Sequence, residues 1–234
     1  MGIIRKFKRK LKKLRGQTDP VVPPRRDILL RHLRIESQVG LEIGALCNPL
    51  VSKSESNGKV VYVDHATREQ LRAHYRNDPN VNLDNIVETD LVWGSQKLPE
   101  LVADQRFDYV IASHVIEHVP NMIGWLRDIA TVLHDEGKLS LAIPDKRYTF
   151  DLKRELTTLG TLIEYHLQDR RRPSTRDVFD HKSLACPVDL VRIWNDTLDL
   201  QTLTPHESLE SAWQAAQTNE SSNAYCDVHV TIMT

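Results

Sequence analysis

FDYVIASHVIEHVPN, residues 107–121, is the stretch on which the fold turns. Its first seven residues are apolar almost throughout, as a strand buried on both faces of a parallel sheet requires. Ser113 and His114 then break the apolar run, and Pro120 and Asn121 lead into a helical stripe of Met122, Trp125, Leu126, Ile129 and Leu133. Working outward, VGLEI (39–43), KVVYVD (59–64), NIVET (85–89) and GKLSLAI (137–143) repeat the apolar run. Thr67 and Gln70 make a capping-box pattern that opens a helix toward Tyr75. Five short runs joined by crossovers predict an α/β domain, doubly wound, with a mainly parallel sheet and helices on both faces.

Sheets of that kind bind ligands beyond the carboxyl ends of their strands. The first run ends in Glu42-Ile43-Gly44, the second in Asp64, the third at Asp90, and the fourth runs into Ser113-His114. An acid at a strand tip is costly unless something binds it, and a carboxylate can accept both hydroxyl protons of a ribose. A glycine directly after a buried strand lets the backbone approach a ligand where a Cβ would clash. The loop ALCNPL after Gly44 lacks G-x-G-x-x-G, which disfavours a dinucleotide with its pyrophosphate and suits a cofactor without phosphate.

At these residues the sequence resembles the class I methyltransferases, with motifs in order from Val39 to Asp145: LEIGALCNPL, KVVYVD, VETDL, FDYVIASHVIEHVPN and LHDEGKLSLAIPD. The resemblance is nearest to methyltransferase-domain proteins of bacterial surface-polysaccharide pathways. It implies a Rossmann-like core and S-adenosyl-L-methionine as cofactor. By position, Gly44 would approach the methionine portion, Glu42 would support the loop, Asp64 would hold the ribose, Asp90 with Leu91 would contact the adenine, and Ser113 would complete the site. Two departures stand out. ALCNPL carries no further glycine, so the loop must turn by Asn48 and Pro49, and residues 51–58 are short for a first crossover helix.

Methyl transfer from a sulfonium is an in-line displacement, so an enzyme gains from aligning the acceptor and from removing a hydroxyl proton. Histidine suits that task near neutral pH. His114, at the fourth strand tip, is the first candidate base; His118 and Glu117 complete the catalytic set, on one face if a helix begins near Val115. The string H-x-x-E-H resembles an inverted zinc-protease motif, but it straddles a strand-to-helix turn, which argues against a protease. The spacing assigns no metal site. A metal that orients two oxygens of a diol would need a further ligand from His181, His206 or His229.

The 234 residues suit one α/β domain with an insertion. Residues 1–26 read as a basic amphipathic head and Pro-rich linker, 27–145 as the cofactor-binding core, 146–226 as a helical lid or substrate insertion, and 227–234 as a final strand, one helix and one strand short of the resembled fold. The head (1–15) carries eight Lys or Arg and no acid, leaving 23 basic against 32 acidic residues elsewhere. With Ile3, Ile4, Phe7, Leu11 and Leu14 on its other face, it reads as a solvated arm docked on its own domain or as a helix that lies on an anionic membrane surface; nucleic acid is the weaker partner. In the insertion, Asp145, Arg147, Tyr148, Asp180 and His181 could line an acceptor pocket, and Arg170, Arg171 and Arg172 could bind an anion. Helices are expected over 148–167 and from Thr204-Pro205-His206-Glu207.

Three scattered cysteines form no disulfide framework or C-x-x-C pair, and no stretch is apolar enough to span a bilayer, so a cytoplasmic protein, peripheral at most at the inner membrane surface, is expected. The expected function is methyl transfer to a small-molecule or carbohydrate hydroxyl. The alternatives are a non-catalytic, membrane-docked binding module and a nucleic acid methyltransferase, which lacks N-P-P-[YF] after the fourth strand.

Overall fold

The structure, a computed structural model, describes residues 23–103, 105–222 and 225–234. The basic head and its proposed membrane contact lie outside the described residues. Strands β1 (Gly40–Ile43), β2 (Val60–Asp64), β3 (Leu91–Val92), β4 (Phe107–Ser113) and β5 (Leu133–Ala142) form one sheet in the order β3-β2-β1-β4-β5. Every pairing is parallel. The chain steps outward from β1 to β3 and then returns to the other side of β1, so the order reverses between β1 and β4. That is where such sheets open a ligand crevice.

Period-two alternation divides the core. Val110 and Ala112 of β4 join Leu41, Ile43 and Val63 under α3 (Leu98–Leu101) and α4 (Met122–Val132), through Leu98, Trp125, Ile129 and Val132. Tyr109 and Ile111 point the other way, with Val60 and Tyr62, against Leu29 of α1 (Arg25–Leu30) and the loop at Leu50-Val51. Gly40 is fixed by this second layer: a Cβ there would stand 2.0 Å from Cζ of the Tyr109 ring, which is fully buried. α2 (Arg68–His74) has the capping box that Thr67 and Gln70 predict, and it buries Leu71 against Cys47 and Ile86.

Two strand expectations are corrected. NIVET is not the third strand: residues 83–85 form a 3-10 turn, Ile86 is a core plug, and the strand is Leu91–Val92. A short apolar run has the same pattern whether it pairs or merely packs. The fifth strand begins at Leu133, directly after α4, rather than at Gly137. The crossover from β1 to β2 contains turns and no helix.

Beyond the sheet come 3-10 turns at Lys146–Tyr148 and Phe150–Lys153, then α5 (Leu159–Leu167), α6 (Thr175–Leu184), α7 (Leu190–Trp194) and α8 (Leu209–Ser221). The helix expected from Tyr148 therefore starts only at Leu159. The start expected at Thr204–Glu207 is at Ser208, whose hydroxyl accepts from Ser211 N at 3.1 Å. Residues 227–234 form no strand. They run as an extended segment that buries Val228 and Val230 with Tyr165, Val178 and Ala216, and Val230 N and Thr231 N both donate to Glu117 O, at 2.7 and 3.0 Å. Alternation marks one buried side; it does not by itself supply a pairing partner. No helix among the described residues is long and apolar enough to cross a membrane.

Candidate active site

The tips of β1, β2 and β4 open into one cavity of about 840 Å³, lined by Gly44, Asp64, Ser113, His114 and His118 among others. That volume suits a nucleoside-sized ligand with room beside it. Gly44 has φ +69°, and a Cβ there would come within 2.9 Å of Val115 Cγ2, so both the backbone turn and the close approach of the β1 and β4 tips need glycine. Glu42, one strand position inside, does not reach the cavity. Its Oε1 accepts from Leu50 N (2.6 Å) and its Oε2 from Val51 N (3.0 Å), which ties down the loop after Gly44. Burial pushes its carboxyl up to about 7, against the pull of those two N–H groups. Glu42→Ala is expected to cost about 2–3 kcal/mol in chemical denaturation, because two buried backbone donors lose their acceptor.

Asp64 ends β2 with its side chain 11% exposed; Oδ1 accepts from His65 N (2.7 Å) and lies 2.8 Å from His65 Nδ1. The other oxygen makes no hydrogen bond among the described residues. The His65 ring stacks on Tyr225, 4.0 Å between centroids, and both line the cavity. Asp90 and Leu91 do not line it. Asp90 Oδ2 instead accepts from Tyr62 N (2.7 Å) and Lys53 Nζ (2.5 Å) at the start of β3, and Leu91 pairs with Val63. The tip of β3 reaches the cavity through Trp93 and Gly94. Because the third strand is Leu91–Val92 rather than NIVET, its tip brings Trp93 and Gly94 to the cavity instead of Asp90.

His114 follows β4 at φ 59°, in the left-handed region, with its N–H donating to Ala142 O at 2.9 Å. No helix begins at Val115. A 3-10 turn spans Ile116–His118, and α4 starts after Asn121, whose Oδ1 accepts from Gly124 N (2.8 Å). His114 Nδ1 still lies 3.4 Å from Oε1 of Glu117, a side chain that is fully buried. His118 Nδ1 lies 3.0 Å from Asp227 Oδ1. Burial pulls the His118 imidazolium down, but Asp227 and Glu117 outweigh it and leave the group above its ordinary value.

The insertion closes the cavity from a different side than expected. Asp145, Arg147, Tyr148, Asp180 and His181 do not line it. The C-terminal end of α5 does, with His166, Asp169, Arg170 and Arg171, and Asn121 ties that end down through His166 Nδ1 (3.1 Å) and Asp169 Oδ1 (3.3 Å). Lys97, Arg127, Arg170 and Arg171 are matched around the cavity by Asp64, Asp128, Asp169 and Asp227, so its charge does not single out an anionic acceptor. Sequence reasoning missed His65, Trp93 and Tyr225. His65 and Trp93 follow strand tips and could have been found from that position; Tyr225 had no local signal.

The model of the methyltransferase domain matches residues 25–218. The chain belongs to the methyltransferase-domain family. The residues present fit S-adenosyl-L-methionine as a methyl donor: a cradle at Gly44 that a Cβ would fill, a carboxylate at Asp64 with an oxygen to spare, and no pyrophosphate-binding glycine loop. Among solved structures, this methyltransferase-domain protein is similar to the CcbJ methyltransferase from Streptomyces caelestis, at 17% identity over 58% of this chain and 53% of that one, TM-score 0.37. It is also similar to an S-adenosylmethionine-dependent methyltransferase from Clostridium acetobutylicum (12%, 64% and 61%, TM-score 0.36) and to the N-methyltransferase NodS from Bradyrhizobium japonicum (17%, 62% and 79%, TM-score 0.36). The chain spans about half the length of the first of these. No curated protein matches it.

Proposed function

We propose that the protein transfers a methyl group from S-adenosyl-L-methionine to a hydroxyl of a small-molecule or carbohydrate acceptor. The supporting observation is the convergence of Gly44, Asp64, Ser113 and His114 on one cavity at the point where strand order reverses. Gly44 would admit the methionine portion, Asp64 would bind the ribose hydroxyls, and Ser113 and His114 would stand near the transferring methyl. When bound, the donor would supply an electrophilic methyl group with a neutral thioether as leaving group, and His114 would take the proton of the attacking hydroxyl. Glu117 Oε1, 3.4 Å from His114 Nδ1, would orient that ring.

The test is transfer of isotopically labelled methyl from the donor to a panel of sugar and small-molecule alcohols. His114→Ala should leave donor affinity within about twofold while lowering turnover by roughly 10²–10⁴. Full turnover in that variant removes His114 from the role of base. Donor binding with no turnover on any acceptor favours the binding-module reading instead.

A further inference from the structure

Behind the cavity, the backbone brings together three side chains from distant parts of the chain. Glu117 and His118 come from the turn after β4, and His229 comes from the C-terminal segment, which Glu117 O holds through two backbone hydrogen bonds. One ligand-type atom from each lies within 4.8 Å of the others. Glu117 is fully buried, and neither carboxylate oxygen has a hydrogen-bond partner. A buried carboxylate left so is strongly unfavourable unless a cation or a set of donors faces it.

The two histidines add an independent sign. Each presents its Nδ1 to a carboxylate: His229 to Asp151 Oδ2 at 2.5 Å, and His118 to Asp227 Oδ1 at 3.0 Å, though the latter pair is close without being aligned as a hydrogen bond. Asp151 is itself held by Arg154, at 2.9 Å. A carboxylate behind Nδ1 is the arrangement that orients metal-binding imidazoles, leaving Nε2 as the donor.

We infer that Glu117, His118 and His229 form a binding site for one divalent transition-metal ion at the floor of the cavity. Two imidazoles and one carboxylate suit zinc, manganese, iron or cobalt rather than calcium or magnesium, which prefer all-oxygen sets. Metal–ligand bonds of about 2.1 Å need the three donors to draw in by roughly an ångström. Three protein ligands leave a coordination position open, and of the three His118 borders the cavity. An ion there would lower the pKa of a hydroxyl bound to it; only this role, not the binding itself, rests on the methyl-transfer reading.

The test uses the full chain without a polyhistidine tag, stripped with chelator and titrated with cobalt(II) alone, read by visible absorption and by thermal unfolding. One equivalent should bind with the absorption of a nitrogen- and oxygen-coordinated ion and raise the melting temperature. Glu117→Gln and His229→Gln should each weaken binding about a hundredfold or more. His118→Gln, at a half-buried site, serves if those variants do not fold, while His206→Gln should change nothing. No saturable binding to the folded wild-type chain overturns the inference, as does binding that survives these ligand substitutions. Neither readout involves the methyl donor, so failure here leaves the proposed activity standing, and the reverse.

Discussion

Asp64→Ala is expected to weaken binding of S-adenosyl-L-methionine about a hundredfold or more, measured by calorimetry, with little change in the melting temperature of the free protein. The side chain is 11% exposed and aimed by His65, through Oδ1, into the cavity beyond β2. A hydrogen bond to a charged group contributes roughly 1.5–3 kcal/mol, and a carboxylate facing a ribose diol makes two, so losing it removes at least two powers of ten. Asp64→Asn keeps one acceptor and should fall between. The unfolding midpoint should hold because the Asp64 side chain bonds only to its neighbour in sequence among the described residues. An affinity unchanged in Asp64→Ala would take the donor's ribose away from β2 and the proposed binding mode with it.

Gly40→Val should be the most damaging single change to the fold, costing about 4 kcal/mol or more. The Tyr109 ring crosses β1 where Gly40 has no side chain, and the first added carbon would already overlap the ring at 2.0 Å. The ring is fully buried among Val60, Tyr62 and Ile111, so it has nowhere to turn. Against a typical stability of 5–15 kcal/mol, the variant should be largely insoluble or unfold at low denaturant. Gly40→Ala should show a smaller form of the same defect and recover part of the loss when combined with Tyr109→Leu. A Gly40→Val chain that melts like the wild type would show that the two positions do not pack as described.

Part of the cavity lining was legible because a ligand crevice in such a sheet opens at strand tips, and strand tips are local. Gly44, Asp64, Ser113 and His114 could be named from apolar runs that end in a polar residue, and all four line the cavity. Asp90 and Leu91 were misplaced because Ile86 and Val87 have the composition of a strand while packing as loop residues. The expectation for the insertion differed for another reason: Asp145, Arg147 and Tyr148 are near the sheet in sequence, but the cavity is closed by the end of α5.

The sequence by itself determined the parallel α/β core, the order of its motifs and the acids and glycine at its tips, because two-residue alternation and turn chemistry act over a few neighbouring residues. Only the tertiary structure decided that residues 225–234 return to the turn after β4, placing Tyr225 on His65 and His229 beside Glu117. Those contacts join positions more than a hundred residues apart. Nothing in their local spacing encodes the meeting; it arises when burial of Val228 and Val230 draws the segment back against the domain.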